Sequence, residues 1–465
     1  MTASSQHPSL PRRELTLFDT TSIIVGIIIG SGIYEAVPRI AAAVDSPQVF
    51  LATWLLGGLF ALMGSLCYAE LAAAWPEEGG DYVFLTRAFG RPVGFLFAWT
   101  AFWVIRPGSV GAMAFVFAKY AGRVGLGGPA LFWASSAVAV LTVVNVLGVR
   151  SGKWTQNLLT VAKLGGLAAV VAVGLLWPCG GEQAAGLPGH VGEAGSNFGL
   201  AMILVLYAYG GWNDMSYVGA EVRNPERNIF RALLLGAGTV TAAYLMANLA
   251  FLQALGFRGV QRAEAVAADV VRLALGRHAE RAISALICIS ALGAINGMLL
   301  TGARIYFALG QRHALFRPLG RWNERLQSPV ASLVAQAAVT LSVMAGFAHA
   351  AGSDGFDRMV RFGLPAFWFF LLLVSASVFW LRRTAPRQPR PVCVPAYPFT
   401  PLLFAAGTAY MLYASVAYAW ATRSAEAWWS IALLLAGAVL ACWEARPAGR
   451  DGNSRQASGA AERPV

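Results

Sequence analysis

Ile27-Ile-Ile-Gly-Ser-Gly-Ile33 interrupts a long apolar segment near the start of the chain with two glycines around a serine. A second apolar segment is interrupted in the same way by Tyr207-Ala-Tyr-Gly-Gly-Trp-Asn213. Glycine in a helix interior costs about 1 kcal/mol relative to alanine, so such a cluster indicates a broken helix or a close helix contact. The two clusters fall in the first and sixth apolar spans assigned below. Paired interruptions at matching places in two halves predict an inverted repeat with a binding site at the midplane of a membrane.

The composition predicts a membrane protein. Of 465 residues, 57% are hydrophobic and 12% are charged, whereas soluble proteins carry about 25% charged residues. The apolar blocks are close to the roughly 20 residues that a helix needs to cross a bilayer, and backbone in lipid must be helical to satisfy its own hydrogen bonds. The fold class is therefore an all-α polytopic membrane protein. We assign twelve spans, near residues 18–41, 48–74, 92–121, 129–148, 154–177, 197–222, 231–257, 281–311, 329–350, 357–381, 400–421 and 427–443.

The net charge of +12 is explained by membrane topology. Lys and Arg are in excess in the loops on one side of the assigned spans, and such an excess marks the cytoplasmic side. This places both termini in the cytoplasm, with residues 1–15 and 445–465 as polar tails. The first tail is not typical of a cleaved signal peptide, because the apolar segment after it is long and lacks a small-residue cleavage site. We expect an integral protein of the lipid bilayer that does not bind nucleic acid.

The sequence predicts no cofactor, no metal site and no enzymatic activity. The five cysteines are scattered without a CxxC pair, so neither a metal site nor a disulfide framework is indicated. The five histidines are dispersed along the chain, and no serine lies in a nucleophile elbow.

Several motifs resemble those of the amino acid–polyamine–organocation superfamily of permeases, and in particular its L-type amino acid transporter branch. The segment 26–34 resembles the signature of the family's first span. The segment 207–213, followed by 221–228, resembles the sixth span of the L-type branch. Further similarities, which extend the resemblance from about residue 15 to residue 441, are Tyr68-Ala-Glu-Leu71, Gly79-Gly-Asp-Tyr82, Ile105-Arg-Pro107 and the proline-rich stretch 391–401.

The resemblance implies the five-plus-five inverted repeat of the leucine-transporter-type fold, followed by two extra helices. Residues 16–182 would form the first repeat (spans 1–5), 196–382 the second (spans 6–10) and 398–444 the last two spans. It also implies secondary active transport of amino acids by alternating access, usually as sodium-independent exchange. Three other interpretations stay open: a proton-coupled symporter, an amino acid/polyamine antiporter of the same fold, and a sensor that binds an amino acid without transporting it.

The two broken spans provide the expected binding site for an amino acid. The helix that restarts near Ser31 and Gly32 directs free N–H groups and its positive dipole end at the cavity, which suits a carboxylate. The half-helix that ends near Tyr207 and Gly210 leaves free carbonyls, which together with the Ile28 carbonyl suit the α-ammonium group. The expected substrate-binding residues are Ile28, Ile29, Gly30, Ser31, Gly32, Tyr207, Gly210, Asn213 and Asp214.

Two of these residues have more than one interpretation. By the resemblance, Tyr207 matches an aromatic position that shields the substrate, which makes it a candidate gate, although ordinary packing would also explain it. Asp214 stands where the branch often has an aromatic residue that faces the substrate side chain. It could favour a polar or cationic side chain or bind a proton, but capping of the restarting half-helix is the interpretation that we favour.

Charged residues within spans are functional candidates by default, because their burial in a membrane is costly. Lys163 lies in the fifth span, about 15 Å deep at 1.5 Å per residue. In the branch, a lysine in the matching motif occupies the place of sodium in sodium-coupled relatives. The alternative is that Lys163 reaches back to the interface near Lys153. Arg106 precedes a helix-bending proline, so we expect it to pair with a carboxylate or a freed carbonyl.

Glu221 begins a charged cluster with Arg223 and Arg227 at the cytoplasmic end of the sixth span, which we interpret as the inner gate. Glu70 and Asp81 are the expected partners of these arginines. Glu35 departs from the small or apolar residue that is usual in the family after the first break, and no role is assigned to it.

The resemblance also bears on partners. Eukaryotic members pair with a single-span glycoprotein through a cysteine between the third and fourth spans, and the loop 122–129 has no cysteine. We therefore expect no disulfide-linked accessory subunit, which fits a bacterial permease of the cytoplasmic (inner) membrane.

Overall fold

The computed structural model describes residues 13–30, 32–176, 197–263, 265–276, 278–348, 355–421 and 423–444. These residues are helical almost throughout. A segment of π-helix at Ala101–Ile105 joins α5 to α6, and a 3-10 helix at Trp212–Glu221 follows α9. The α-helices are α1 (Leu17–Ile28), α2 (Gly32–Ala42), α3 (Pro47–Ala74), α4 (Asp81–Phe89), α5 (Arg91–Thr100), α6 (Arg106–Val124), α7 (Ala130–Val146), α8 (Val149–Leu176), α9 (Phe198–Ala208), α10 (Pro225–Arg262), α11 (Val266–Leu275), α12 (His278–Arg312), α13 (Val330–Ala348), α14 (Gly355–Thr384), α15 (Phe399–Ala421) and α16 (Ala425–Glu444).

The spans agree with the sequence prediction. Among the described residues, nine helices are long and apolar enough to cross a membrane, and the bent pair of α1 and α2 forms a tenth span. The shorter apolar helix α7 and the interrupted segment of α9 and the 3-10 helix complete the predicted twelve. The prediction of an all-α polytopic membrane protein is therefore confirmed.

The first span breaks where its glycines predict. A capping box begins α1: the Thr16 side chain accepts from the Asp19 amide at 3.2 Å, and the Asp19 carboxylate accepts from the Thr16 amide at 2.9 Å. The helix ends at Ile28, and α2 restarts at Gly32 with a bend of 45°. The end of α1 and the start of α2 therefore leave backbone groups without partners inside their own helices in the middle of the bundle.

The sixth span breaks at Gly211, which has a φ of +110°. That backbone conformation favours glycine, because other residues would place a Cβ against their own backbone. A Cβ at this position would also lie 2.5 Å from Cγ2 of Ile27. A glycine at position 211 therefore has two effects: it permits the turn, and it allows the sixth span to approach the first closely.

The broken first span lies at the centre of the bundle. α1 packs against α8, α10 and α12, while α2 packs against α9 and α10. The two breaks are consequently neighbours, enclosed by helices from both halves of the chain.

Candidate functional site

A cavity lies between the two breaks. Its volume of about 140 Å³ is about ten times the space that one water molecule needs on the same measure, so it accommodates a small organic molecule. Ile29 is not part of its wall, and Ser31 lies outside the described residues. The expected residues that line the cavity are Ile28, Gly30, Gly32, Tyr207, Gly210, Asn213 and Asp214. Much of the remaining wall is apolar and includes Met113, Met298, Met359, Leu364 and Phe367.

Lys163 is fully buried against the first break. Its Nζ donates to the carbonyl oxygens of Gly26 at 2.7 Å, Ile29 at 2.8 Å and Ser290 at 2.9 Å. An ammonium group has three donors, so all of them are used. The alternative interpretation, in which Lys163 reaches the interface near Lys153, is therefore wrong.

Tyr244 of α10 joins the two breaks. Its hydroxyl lies 2.9 Å from the Ile28 carbonyl oxygen and 3.2 Å from the Ala208 carbonyl oxygen. The Ile28 carbonyl also accepts from the Gly30 amide at 2.7 Å. A carbonyl oxygen has two lone pairs, so in this conformation Ile28 is not free to accept from an ammonium group, in contrast to our expectation.

Arg106 and Asp214 form a buried ion pair in the cavity wall. Arg106 donates through Nη1 to Oδ2 of Asp214 at 2.5 Å and through Nη2 to Oδ1 at 3.0 Å. Thr301 adds a hydroxyl donor to Oδ2 at 3.0 Å. The expected pairing of Arg106 with a carboxylate is confirmed. The capping interpretation of Asp214 is wrong, because Gly211 precedes the 3-10 helix without any side-chain cap and the Asp214 carboxylate faces another helix.

The π-helical segment explains how Arg106 reaches the cavity. Arg106 donates its amide to the carbonyl of Ala101, five residues back, immediately before Pro107. The Ala101 carbonyl also accepts from the Tyr306 hydroxyl at 3.2 Å. Such π-segments accommodate one extra residue in a turn and are frequent at functional sites.

Tyr217 links the ion pair to the start of α4. The Arg106 guanidinium lies over the Tyr217 ring at 4.8 Å from its centroid. The Tyr217 hydroxyl donates to Oδ2 of Asp81 at 2.7 Å and accepts from Nδ2 of Asn213 at 3.1 Å. Asp81 is therefore held by a tyrosine, and its expected pairing with an arginine of the 221–227 cluster is wrong.

Glu221 pairs with an arginine from another helix. Arg304 of α12 donates through Nε to Oε1 at 2.7 Å and through Nη2 to Oε2 at 3.3 Å. Both side chains are buried. Arg223, the expected neighbour, instead donates to the carbonyl of Arg13 at 3.2 Å. The pair thus connects the end of the sixth span to the eighth.

Glu70 also has a different partner from the one expected. Its carboxylate accepts from Arg382 at 2.8 and 2.5 Å and from the Val394 amide at 2.7 Å. It therefore holds the end of α14 and the following loop to α3, away from the 221–227 cluster.

Two more residues from the sequence analysis, Tyr207 and Glu35, remain to be placed. Tyr207 meets the Phe356 ring edge-on, with centroids 6.2 Å apart. Glu35, in the first turn of α2, accepts from the partly exposed Lys119 at 2.9 Å.

Sequence reasoning missed four residues that hold this site together: Tyr244, Ser290, Thr301 and Arg304. Ser290 supplies a carbonyl to Lys163 and donates its hydroxyl to the Ile29 carbonyl at 2.8 Å. Each is a polar residue within an otherwise apolar span. This is the feature of the sequence that could have identified them, because polar groups inside a membrane need a partner.

Comparison with known proteins places the chain among transport proteins. The family model described as "Amino acid permease" matches residues 15–441. The serine/threonine exchanger SteT of Bacillus subtilis is 29% identical over 406 residues, which cover 86% of this chain and 90% of that protein. The human b(0,+)-type amino acid transporter 1 is 29% identical over 403 residues, covering 84% of this chain and 81% of that protein. The human large neutral amino acids transporter small subunit 2 is 30% identical over 407 residues, covering 84% and 74% respectively.

Proposed function

This chain belongs to the amino acid permease family, and from that premise we propose that it exchanges amino acids across a membrane by alternating access, without sodium. The observation that carries the proposal is the position of Lys163. Three carbonyl oxygens from α12 and the first break converge on its ammonium group. The ammonium group of Lys163 thereby supplies positive charge to the carbonyl oxygens at the broken helix, so a metal cation is not required there.

The substrate backbone would bind between the two breaks. The N-terminus of α2 begins at Gly32 and offers unpaired amides and a positive dipole end to a carboxylate. The end of α9 near Tyr207 offers the opposite dipole end to an ammonium group. A zwitterion therefore complements both helix ends at once, and the apolar wall around Met113 and Phe367 suits the remainder of the molecule.

The side chain of the substrate would be uncharged. Asp214 carries a negative charge in the wall, but Arg106 neutralises it through two hydrogen bonds. A buried charge without a partner attracts the opposite charge strongly, whereas a compensated pair does not. This supports neutral amino acids as the substrate class, in agreement with the name of the similar large neutral amino acids transporter small subunit 2.

The open alternative of proton-coupled symport rested on Asp214 and Glu35. Both carboxylates are in ion pairs, with Arg106 and Lys119 respectively. Because each carboxylate is engaged by a cation in this conformation, these two residues favour exchange over symport.

Gly32→Ala is expected to lower exchange by about tenfold to a hundredfold, since overpacking costs about 1–3 kcal/mol. A Cβ there would lie 2.8 Å from Cβ and 2.9 Å from Cα of Ala208. The backbone of Ala208 can yield only by separating the two breaks. Initial rates of labelled amino acid entry into preloaded proteoliposomes measure the effect. Gly165→Ala is the matched control, because no atom of the described part of the chain lies within 4 Å of its new Cβ. Equal rates for the two variants would contradict the close contact.

Counterflow in proteoliposomes tests the exchange itself. We expect labelled amino acid to enter only when the inside is loaded with a mixture of amino acids, in sodium-free buffer without a pH gradient. Unlabelled competitors added outside then identify the substrate class, and we expect neutral amino acids to compete. Entry that ignores internal substrate and follows an imposed proton gradient would establish symport instead, and binding without any entry would establish a sensor.

We also propose that both termini are cytoplasmic, that the protein resides in a bacterial inner membrane, and that it works without a disulfide-linked subunit. The loop between α6 and α7, residues 125–129, has no cysteine. A non-reducing gel of the protein from its native membrane is expected to show a single band; a larger band that disappears on reduction would contradict this.

A further inference from the structure

The loop between α3 and α4 buries the carboxyl group of Glu78. Glu78 is 9% exposed, and among the residues that the structure describes neither Oε1 nor Oε2 has a hydrogen-bond partner. The neighbouring Glu77, by contrast, is partly exposed and pairs with Arg87 and Arg312. A buried polar group without a partner in a native protein calls for a physical explanation.

Close backbone packing holds Glu78 inside. The amide of Gly79 donates to the Tyr217 carbonyl at 3.1 Å, which ties the loop to the 3-10 helix of the sixth span. A Cβ on Gly79 would lie 2.9 Å from Cβ of Ala308, so the loop also presses against α12. Glu78 therefore lies between the 3-10 helix, which carries Glu221, and α12, which carries Arg304.

The charges around Glu78 do not balance. The Glu221 carboxylate and the Arg304 guanidinium are the charged groups that act on it from the 3-10 helix and from α12. Arg304 already donates two hydrogen bonds to Glu221 and one, at 2.6 Å, to the Leu300 carbonyl. One guanidinium thus faces two carboxyl groups, and an ionised Glu78 would leave one negative charge without compensation.

The other titratable groups nearby are already engaged. On α4, the Asp81 carboxylate accepts from the Tyr217 hydroxyl, and the Tyr82 hydroxyl lies 3.1 Å from Nε2 of His313. On the α12 side, Arg312 pairs with Glu77 at the surface.

Burial of an uncompensated carboxylate is so costly that such groups become protonated instead. Burial, together with the charge of Glu221, raises the pKa of Glu78 well above its usual range, and Arg304 only partly opposes this.

We propose that Glu78 is a proton-binding site of the inner gate, which holds a proton while the gate is closed and releases it when the gate opens. On opening, the O–H bond of the Glu78 carboxyl breaks and the proton passes to water in the inner vestibule. The carboxylate then competes with Glu221 for Arg304. On closing, a proton from the same side returns to Glu78. Exchange therefore moves no net proton, but the population of the open gate depends on the pH inside. This step rests on the proposed role of Glu221 as the inner gate.

The sign of the pH effect follows from proton linkage. The closed state has the higher pKa, so its stability is fully present at low pH and is lost as pH rises toward that pKa. Each pH unit between the two pKa values changes the ratio of open to closed molecules by up to about tenfold.

Glu78→Gln tests the site, because glutamine keeps the shape of the protonated side chain and cannot ionise. With the outside pH fixed, the exchange rate of the unmodified protein is expected to rise with inside pH by up to about tenfold per unit above the usual glutamate pKa of about 4.3. The Glu78→Gln rate is expected to vary less with inside pH than the unmodified rate, to equal it at low pH and to fall below it at high pH. Glu77→Gln is the matched control and is expected to keep the pH dependence.

A second measurement separates this proposal from the proposed transport function. Apparent Tm in detergent without substrate is expected to fall more steeply with rising pH for the unmodified protein than for Glu78→Gln. Asp81, whose pKa burial raises to about 7, is present in both proteins, so the difference between them reports Glu78. Equal Tm profiles would overturn the proton site even if exchange is observed. Different Tm profiles with no exchange in any variant would retain the proton site and reject the transport function.

Discussion

Lys163→Met is expected to abolish amino acid exchange, with a loss of at least about a hundredfold in the initial counterflow rate. Each hydrogen bond to a charged group contributes about 1.5–3 kcal/mol, and Lys163 makes three, to Gly26, Ile29 and Ser290. About 1.4 kcal/mol corresponds to a tenfold change, so two lost bonds already account for the predicted effect. Methionine retains the apolar volume but supplies neither the charge nor the donors that hold the first break.

Lys153→Met provides the matched control on the same helix. Lys153 lies near the start of α8, 3.6 Å from the Asp19 carboxylate, and that carboxylate keeps its hydrogen bonds from Thr16 and Asn157 when Lys153 is replaced. We expect its exchange rate to stay within about fivefold of the unmodified protein. Both variants are first checked for a monodisperse peak in detergent. A folded Lys163→Met protein with ordinary exchange, or an unmodified protein whose rate rises on addition of sodium, would contradict the sodium-substitute role.

Asp214→Asn is the second substitution with a large expected effect. It leaves the Arg106 guanidinium buried in the cavity wall without its counter-charge. Breaking a buried pair by removing one partner costs about 3–5 kcal/mol, so exchange of neutral amino acids is expected to fall by more than about a hundredfold. The uncompensated positive charge should also make acidic amino acids bind better, which competition assays would detect.

The double variant Arg106→Met with Asp214→Leu distinguishes pairing from two separate roles. Replacing a whole buried pair by apolar residues is often neutral for stability, so the double variant is expected to be less impaired than Asp214→Asn alone. The measurement is a double-mutant cycle on the exchange rate, in which coupled residues deviate from additivity. Glu35→Gln, which breaks the partly exposed pair with Lys119, is the control and is expected to have an effect of about fivefold or less. Additive effects of the two buried substitutions would rule out the pair as a unit.

The sequence alone was enough to locate the spans and their two interruptions, because these depend on local properties. About twenty apolar residues span a bilayer wherever they occur. A glycine cluster weakens a helix at its own position, and the breaks at Gly30 and Gly211 lie where the glycines predict. The depth of Lys163 within its span likewise indicated a buried, functional cation before its partners were known.

The partners of the buried charges were decided only by the tertiary structure. Arg106 and Asp214 are 108 residues apart, and Glu221 and Arg304 are 83 residues apart. Glu70 meets Arg382 across 312 residues, although an arginine of the 221–227 cluster was expected. An ion pair depends on distance and desolvation in space, and neither leaves a signal in the adjoining residues. For the same reason Glu78 could not be identified from the sequence, since only the packed loop shows that its carboxyl group is enclosed beside a guanidinium that another carboxylate already holds.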